Sequence, residues 1–233
     1  MNHLKKLSHK NIVITGGTSG LGKALTMQLQ EIGARVAIVA RHQTGLMSIT
    51  DQYPAVIAVQ GDVARKDNIY PMAGEIHARL GDVDILLNVA SYLGTVPLRL
   101  LVDTECEDFE LALQTNLLGP FRLSKALLPS MLLKGKGLIV NISSDAAIHP
   151  YPTWGGYAVS KAALDHMSRL FDEELKHRGV RFLAIDPGDM NTPMHEAAIP
   201  NADLSQLRDP AESARRLIAL IANEDFVQVR RAL

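Results

Sequence analysis

A chain of 233 residues, 47% of them hydrophobic and 21% charged, has the composition of one folded domain with a sizeable core, which excludes disorder, collagen and fibre. Its 24 Lys and Arg against 25 Asp and Glu leave a formal charge of −1, so there is no electrostatic footprint for nucleic acid or an anionic membrane. A small-molecule partner is the expectation.

The opening stretch Met1–Lys10 mixes Lys, His and Asn with isolated leucines and lacks the apolar core of a secretory signal. No later stretch reaches the ~18 apolar residues of a membrane span, so a cytoplasmic protein is expected. Short apolar, β-branched runs recur at Asn11–Thr15, Arg35–Ala40, Ala55–Gln60, Val83–Leu87, Leu138–Ile142 and Val180–Ile185. They are too uniformly apolar for strands with one wet face and predict buried parallel strands. Helical patterning fills the intervals at Leu21–Ile32, Thr44–Gln52, Arg65–Leu80, Cys106–Leu133 with a break near Gly119-Pro120, Tyr157–His177 and Ala211–Ala222. The alternation predicts right-handed crossovers and a single α/β domain over 1–233, a doubly wound parallel sheet with ligands at the carboxyl ends of its strands. The irregular stretch Pro187–Pro210 is a candidate substrate lid, and a weak final strand is placed at Phe226–Val229. The lone Cys106 sits among Glu105, Glu107 and Asp108, an inert thiol of a reducing compartment. Eight histidines show no i,i+4 pair and no zinc spacing, so no metal is expected.

The first strand runs into Thr15-Gly16-Gly17-Thr18-Ser19-Gly20-Leu21-Gly22. Glycines here permit positive φ and leave no Cβ in a ligand's way, while the helix opening at Leu21 offers free N–H groups and its positive dipole end to a pyrophosphate. Gly17-x4-Gly22-Lys23 also has the frame of a nucleoside-triphosphate loop, but Ala24 stands where a Ser or Thr must hold Mg²⁺. A tight turn without a ligand is the other meaning of such glycines. The second strand ends at Ala40-Arg41 with no acid to take a ribose 2′-hydroxyl. Arg41 can instead pair with a 2′-phosphate, which favours NADP(H) over NAD(H), or be a solvated arginine leaving the sheet. After the third strand Asp62 is placed to accept from an adenine amino group and Val63 to flank the ring, although Asp62 before Lys66 also reads as an acidic helix cap.

Tyr157 and Lys161 stand at i,i+4, which on a helix puts them on one face with Cβ atoms about 6 Å apart. Bringing a phenol from about 10 toward neutrality takes roughly 4 kcal/mol, about what an ammonium ~4 Å away supplies at an effective dielectric of ~20. Alone, the pair is equally the ordinary furniture of a surface helix. Ser143 and Ser144 end the fifth strand, where a hydroxyl can hold a carbonyl oxygen or simply satisfy turn backbone.

Taken together, Thr15-Gly16-x-x-x-Gly20-x-Gly22, Asp62-Val63, Asn116, Ser144 with Tyr157-x-x-x-Lys161, and Pro187-Gly188-x-x-x-Thr192 resemble the short-chain dehydrogenase/reductase family in order and spacing, over about residues 8–222. The resemblance implies an extended Rossmann fold and an NAD(P)-dependent enzyme. In it Tyr157 is the catalytic acid or base, Lys161 holds the nicotinamide ribose and lowers the tyrosine's pKa, Ser144 hydrogen-bonds the substrate oxygen, and Asn116 supports a water-linked proton relay to Lys161. It further implies cofactor contacts at Gly16, Thr18, Ser19, Gly20, Leu21, Gly22, Arg41, Asp62, Val63, Asn88, Ala90, Pro187, Gly188 and Thr192.

Two features depart from the family. Asn88-Val89-Ala90-Ser91 stands where Asn-Asn-Ala-Gly is usual, losing an amide and adding a serine beside the nicotinamide. The chain also stops at Leu233 without the usual Gly-rich tail, which removes the grounds for tetramer contacts at that terminus. A homo-oligomer, dimer or tetramer, is expected, with Cys106–Leu133 and Tyr157–His177 as a dimer surface.

The expected reaction is reduction of a ketone or aldehyde, or oxidation of the alcohol. Substrate walls are expected at Ser91-Tyr92-Leu93, Ala146–Trp154 and Met190–Ile199, with His149 and His195 as polar handles. The alternatives are a catalytically silent NADP(H)-binding sensor or scaffold and, among enzymes, an epimerase or dehydratase.

Overall fold

The structure is a computed structural model that describes residues 4–224 and 226–233. The first three residues of the Met1–Lys10 stretch, on which part of the expectation for that segment rests, lie outside the described residues. Seven strands, β1 (Asn11–Thr15), β2 (Arg35–Ala40), β3 (Ile57–Gln60), β4 (Ile85–Asn88), β5 (Gly137–Ile142), β6 (Val180–Asp186) and β7 (Arg230–Ala232), form one parallel sheet in the order β3-β2-β1-β4-β5-β6-β7. The chain therefore reverses its direction of winding between β1 and β4, which opens a crevice at their carboxyl ends, where such sheets bind ligands.

Each strand sends alternate side chains to opposite faces, and both faces are dry. Ile12, Ile14, Val36, Ile38, Leu87, Val140 and Ile185 meet Leu25 and Leu29 of α1 (Gly20–Glu31), Leu46 and Ile49 of α2 (Gln43–Gln52) and Leu217 and Ile221 of α8 (Pro210–Asn223). On the other side Val13, Val39, Leu86, Ile139 and Phe182 meet Ile69 and Ile76 of α3 (Lys66–Leu80) and Leu123 and Leu127 of α5 (Gly119–Lys134). Phe171 of α6 (Gly155–Leu175) stacks on Phe182, with centroids 4.6 Å apart.

Four expectations from the sequence are corrected. The third and fourth strands begin two residues later than Ala55 and Val83. The helix over Cys106–Leu133 does not break at Gly119-Pro120. A π turn at Gln114–Leu118 joins α4 (Cys106–Leu113) to α5, and Pro120, which has no N–H to give the ladder, follows directly on that wider turn. The stretch Pro187–Pro210 is not structureless: it holds α7 (Pro193–Ala198), a 3₁₀ turn at Leu204–Gln206 and a bridge between Met190 and Arg208. The final strand lies at Arg230–Ala232 rather than Phe226–Val229, because pairing begins where the Val229 carbonyl accepts from Ala184 N at 2.8 Å.

Candidate active site

A cavity of about 580 Å³ opens at the carboxyl edge of the sheet, within the ~300–1,000 Å³ range of small-molecule sites. One end is the glycine loop. A Cβ at Gly22 would stand 2.1 Å from the Gly16 carbonyl oxygen, and one at Gly16, whose φ is +71°, would stand 2.9 Å from Ala90 Cα. The loop can close this tightly only with glycine at both positions. Thr26 Oγ reaches the Gly22 and Gly17 carbonyls at 2.8 and 3.2 Å and pins the turn from behind. At the start of α1 the first-turn amides have no intrahelical acceptor, and Ser19, the N-cap residue, makes no side-chain cap bond. They are left as donors facing the cavity.

Arg41 follows β2 at the exposed rim. Asp62 and Val63 line the same end, and Asp62 is not a helix cap: its Oδ1 accepts from Ala64 N at 2.9 Å, while the residue flanking α3 is Arg65.

The other end is built by β5, α6 and the segment after β6. Tyr157 and Lys161 are buried on one face of α6, with Lys161 Nζ 5.4 Å from the centre of the Tyr157 ring and donating to the Ile142 carbonyl at 2.7 Å. Tyr157 shares a hydrogen bond with Ser144, whose hydroxyl also donates to Asp145 Oδ1 at 3.0 Å and accepts from Ala146 N at 3.2 Å. Trp154 packs edge-on against Tyr157, centroids 5.7 Å apart, and Tyr151 edge-on against Trp154. Pro187, Gly188 and Thr192 close the cavity from above, and Thr192 touches the glycine loop: a Cβ at Gly20 would be 3.2 Å from its methyl.

The electrostatics of this end differ from the expectation of an acidified phenol. Burial, foremost, and the fields of Asp186, Asp145 and Asp189 push Tyr157 up to about 12, against the opposing bond from Ser144. Burial brings Lys161 down to about 8, opposed by Asp165. The i,i+4 estimate fails first because the phenol is buried, and then because three carboxylates absent from the tyrosine's own helix face it. Asp186 is itself raised, by burial first, with Gly188 N and Arg230 opposing. Burial also works to raise Asp145, but donation from Tyr151 and Ser144 outweighs it and holds this carboxyl below the usual range.

Of the residues expected at the site, Gly16, Thr18–Gly22, Arg41, Asp62, Val63, Ala90, Ser144, Tyr157, Lys161, Pro187, Gly188 and Thr192 line this one cavity, whereas Asn88 and Asn116 do not. Asn88 Nδ2 donates to Asn141 Oδ1 at 2.8 Å, and Asn141 donates in turn to Ser168, a buried amide chain from β4 through β5 to α6. The side chain of Asn116, in the π turn, is fully engaged: its Oδ1 accepts from Ser91 Oγ and Tyr92 N, and its Nδ2 donates to the Tyr92 carbonyl and Ser160 Oγ. The amide lost at Val89 is offset by Thr15 Oγ, which accepts from Val89 N and Ala90 N at 3.0 and 3.1 Å. Ser91 lines the cavity but spends its proton on Asn116. Of the residues expected at substrate walls, Leu93, Ala146, Tyr151, Trp154, Met190, Met194, His195 and Ile199 line the cavity; Tyr92 and His149 do not, and the Tyr92 hydroxyl donates to Asp108 at 2.6 Å. Sequence reasoning missed Asp145, Asp186 and Asp189, all on the cavity wall. Their adjacency to Ser144 and Pro187 was the available signal.

The sequence profile of the short chain dehydrogenase family matches residues 10–203. The chain belongs to the short-chain dehydrogenase family. This is a family of NAD(P)-dependent oxidoreductases acting on CH–OH and C=O groups. A short chain dehydrogenase of Pseudocercospora fijiensis is 34% identical over 194 residues, 80% of this chain and 62% of that protein. The 3-oxoacyl-acyl-carrier-protein reductase of Thermotoga maritima is 30% identical over 237 residues, 94% of this short-chain dehydrogenase and 93% of the relative. An alcohol dehydrogenase of Thermococcus sibiricus, solved with 5-hydroxy-NADP, superposes with a TM-score of 0.85 at 28% identity, covering 96% of this chain and 95% of that one. Among the described residues no helix is long and apolar enough to cross a membrane.

Proposed function

We propose that this short-chain dehydrogenase is an NADP(H)-dependent carbonyl reductase for a ketone or aldehyde. One observation carries it: a buried Tyr157, hydrogen-bonded to Ser144 and one helical turn before Lys161, shares its cavity with a glycine loop and an uncapped helix N-terminus. The residues present fit a dinucleotide. Gly16 and Thr18–Gly22 receive the pyrophosphate on backbone donors, Asp62 and Val63 take the adenine, and Ala90, Pro187, Gly188 and Thr192 border the nicotinamide. Arg41 meets the 2′-phosphate, a charge-assisted contact that NAD(H) cannot make. A relative solved with a modified NADP agrees with this preference.

Hydride exchange at the carbon is the chemistry a bound nicotinamide supplies. The chain's own groups handle the oxygen. A phenol pushed up to about 12 keeps its proton throughout the neutral range, so Tyr157 enters the reaction as an acid and hands its proton to the carbonyl oxygen. Ser144 turns its hydroxyl hydrogen from Asp145 toward that oxygen and stabilises the charge developing there. Lys161, charged below about 8, offsets the phenolate that this transfer leaves and binds the ribose. Asn116 acts by position, holding Ser91, Tyr92 and Ser160 together behind the reacting groups. Residues 187–210 are the lid, and Met190, Met194 and Trp154 make the substrate wall moderately apolar.

The chain works as a dimer through α4, α5 and α6, where Leu111, Phe121, Val159 and Leu170 are exposed. A cytoplasmic setting suits its single, exposed, unpaired Cys106. NADPH and NADH oxidation over a carbonyl panel tests the reading: turnover with net NADPH consumption supports it. Binding without turnover across the panel favours a sensor, and conversion without net consumption an epimerase or dehydratase.

A further inference from the structure

Behind the reactive wall lies a largely covered guanidinium that holds two acids far from it in sequence, Asp165 and Asp186. Arg230 opens β7, in register with Ala184 of β6. Its Nε donates to Asp165 Oδ2 at 2.6 Å, its Nη2 donates to the Ser144 carbonyl oxygen at 3.1 Å, and the same nitrogen stands 3.6 Å from Asp186 Oδ2. The three partners come from three elements, and each bears on the reacting groups. Asp165 lies one helical turn after Lys161 on α6, Ser144 carries the hydroxyl bonded to Tyr157, and Asp186 lines the cavity. Side-chain exposures of 16% for Arg230, 6% for Asp165 and 10% for Asp186 make this a network away from water, where an unmatched carboxylate is costly. A planar fork of five donors spreads over acceptors on three elements, whereas the three donors of an ammonium radiate from a single nitrogen and do not reproduce that spread.

We propose that Arg230 is a positioning residue of the active site, holding the Ser144 backbone at its angle to Tyr157 and offsetting the Asp165 and Asp186 carboxylates that face Lys161 and Tyr157. The proposal rests on the carbonyl reductase function above and adds to it a strand that belongs to no motif. The charged groups that face the pair are Asp165 on the same helix as Lys161, Asp186 at the end of β6, and Asp145 and Asp189 across the cavity. Arg230 touches the first two. Asp165 already favours the charged form of Lys161, which burial holds near 8. Without the guanidinium its field is unopposed, and the ammonium then keeps its proton to higher pH.

The test uses the full chain with Arg230→Gln, Arg230→Lys and Asp165→Asn. NADPH affinity, kcat against pH for carbonyl reduction, and the Lys161 titration are measured. The titration is followed by ¹³C NMR of lysine-labelled, cofactor-free protein, with the signal assigned through Lys161→Met. Arg230→Gln is expected to lower kcat about 10–100-fold, the size of a small misplacement of catalytic groups, with NADPH affinity nearly unchanged. The Lys161 titration should move up by about one pH unit, and in Asp165→Asn it should move down. Arg230→Lys should recover the titration more fully than kcat, because a lysine restores charge but not the Ser144 contact. Loss of kcat together with melting temperature, while the titration stays at its wild-type position, would reduce Arg230 to a structural strap and overturn the proposal. So would unchanged kcat. If Arg230→Gln does not fold, a titration unmoved in Asp165→Asn does the same. Should the wild type turn over no carbonyl while the Lys161 titration still shifts in the variants, the reductase function fails and the electrostatic coupling stands.

Discussion

The two ends of the cavity are assembled by opposite means. The glycine end is held by steric fit: side chains are missing at Gly16 and Gly22 so that backbone can approach backbone, and the groups the loop itself offers to a ligand are uncharged amides, with Arg41 and Asp62 at its rim. The reactive end is held by buried charge, with Lys161, Asp165, Asp186 and Arg230 on three elements within one network. Substituting the first should therefore abolish binding with little pH dependence. Substituting the carboxylates or Arg230 of the second should leave binding and change turnover in a way that pH reveals.

The most disruptive break of this contrast is Gly22→Ala, whose methyl has no room against the Gly16 carbonyl. It should weaken NADPH by at least ~100-fold, as displacing several backbone donors at about 1–1.5 kcal/mol each implies, at every pH that titration calorimetry can sample. Ser144→Ala acts at the other end and should cost about 10²-fold in kcat, the size of one lost oxyanion donor, while NADPH Kd changes little. The wild-type kcat/KM for reduction should then fall as pH rises through about 8, where Lys161 loses its proton in the free protein, because Tyr157 keeps its own to about 12. A profile flat to pH 10 would place the controlling charge elsewhere. Arg41→Ala should weaken NADPH about tenfold, one exposed charge-assisted contact or ~1.4 kcal/mol, and leave NADH unaffected. Asn88→Ala sharpens the boundary between fold and site. It orphans the Asn141 amide and should cost about 1–3 kcal/mol in urea unfolding, with less than about twofold change in NADPH Kd.

The same contrast explains what the sequence made legible. The glycine end is local: Gly16 to Gly22, Arg41 and Asp62 each follow a strand, so a continuous apolar run and the residues after it were enough. Tyr157, Lys161 and Ser144 were readable because i,i+4 spacing and a strand end are local too. The hydrogen-bond partners of Asn88 and Asn116 were not legible, because an amide looks the same whether it faces a ligand or closes a buried ladder, and only the partner distinguishes the two. The depressed phenol failed for a related reason. Its own helix supplied the cation, but the fold buries the ring, and Asp145, Asp186 and Asp189 reach it from other elements, none of which the tyrosine's own helix announces. Arg230 lies beyond such reasoning altogether, being tied to Ser144 only by the seventh strand's place at the sheet edge.

The central claim is that a protonated Tyr157, in the cavity that begins at the glycine loop, delivers a proton to a carbonyl oxygen. Tyr157→Phe keeps the ring and its packing and removes only the hydroxyl. NADPH Kd and single-turnover NADPH oxidation with an accepted ketone, measured side by side, should show affinity within about twofold of wild type and a rate lower by about 10²–10⁴. Turnover within about threefold of wild type would contradict it.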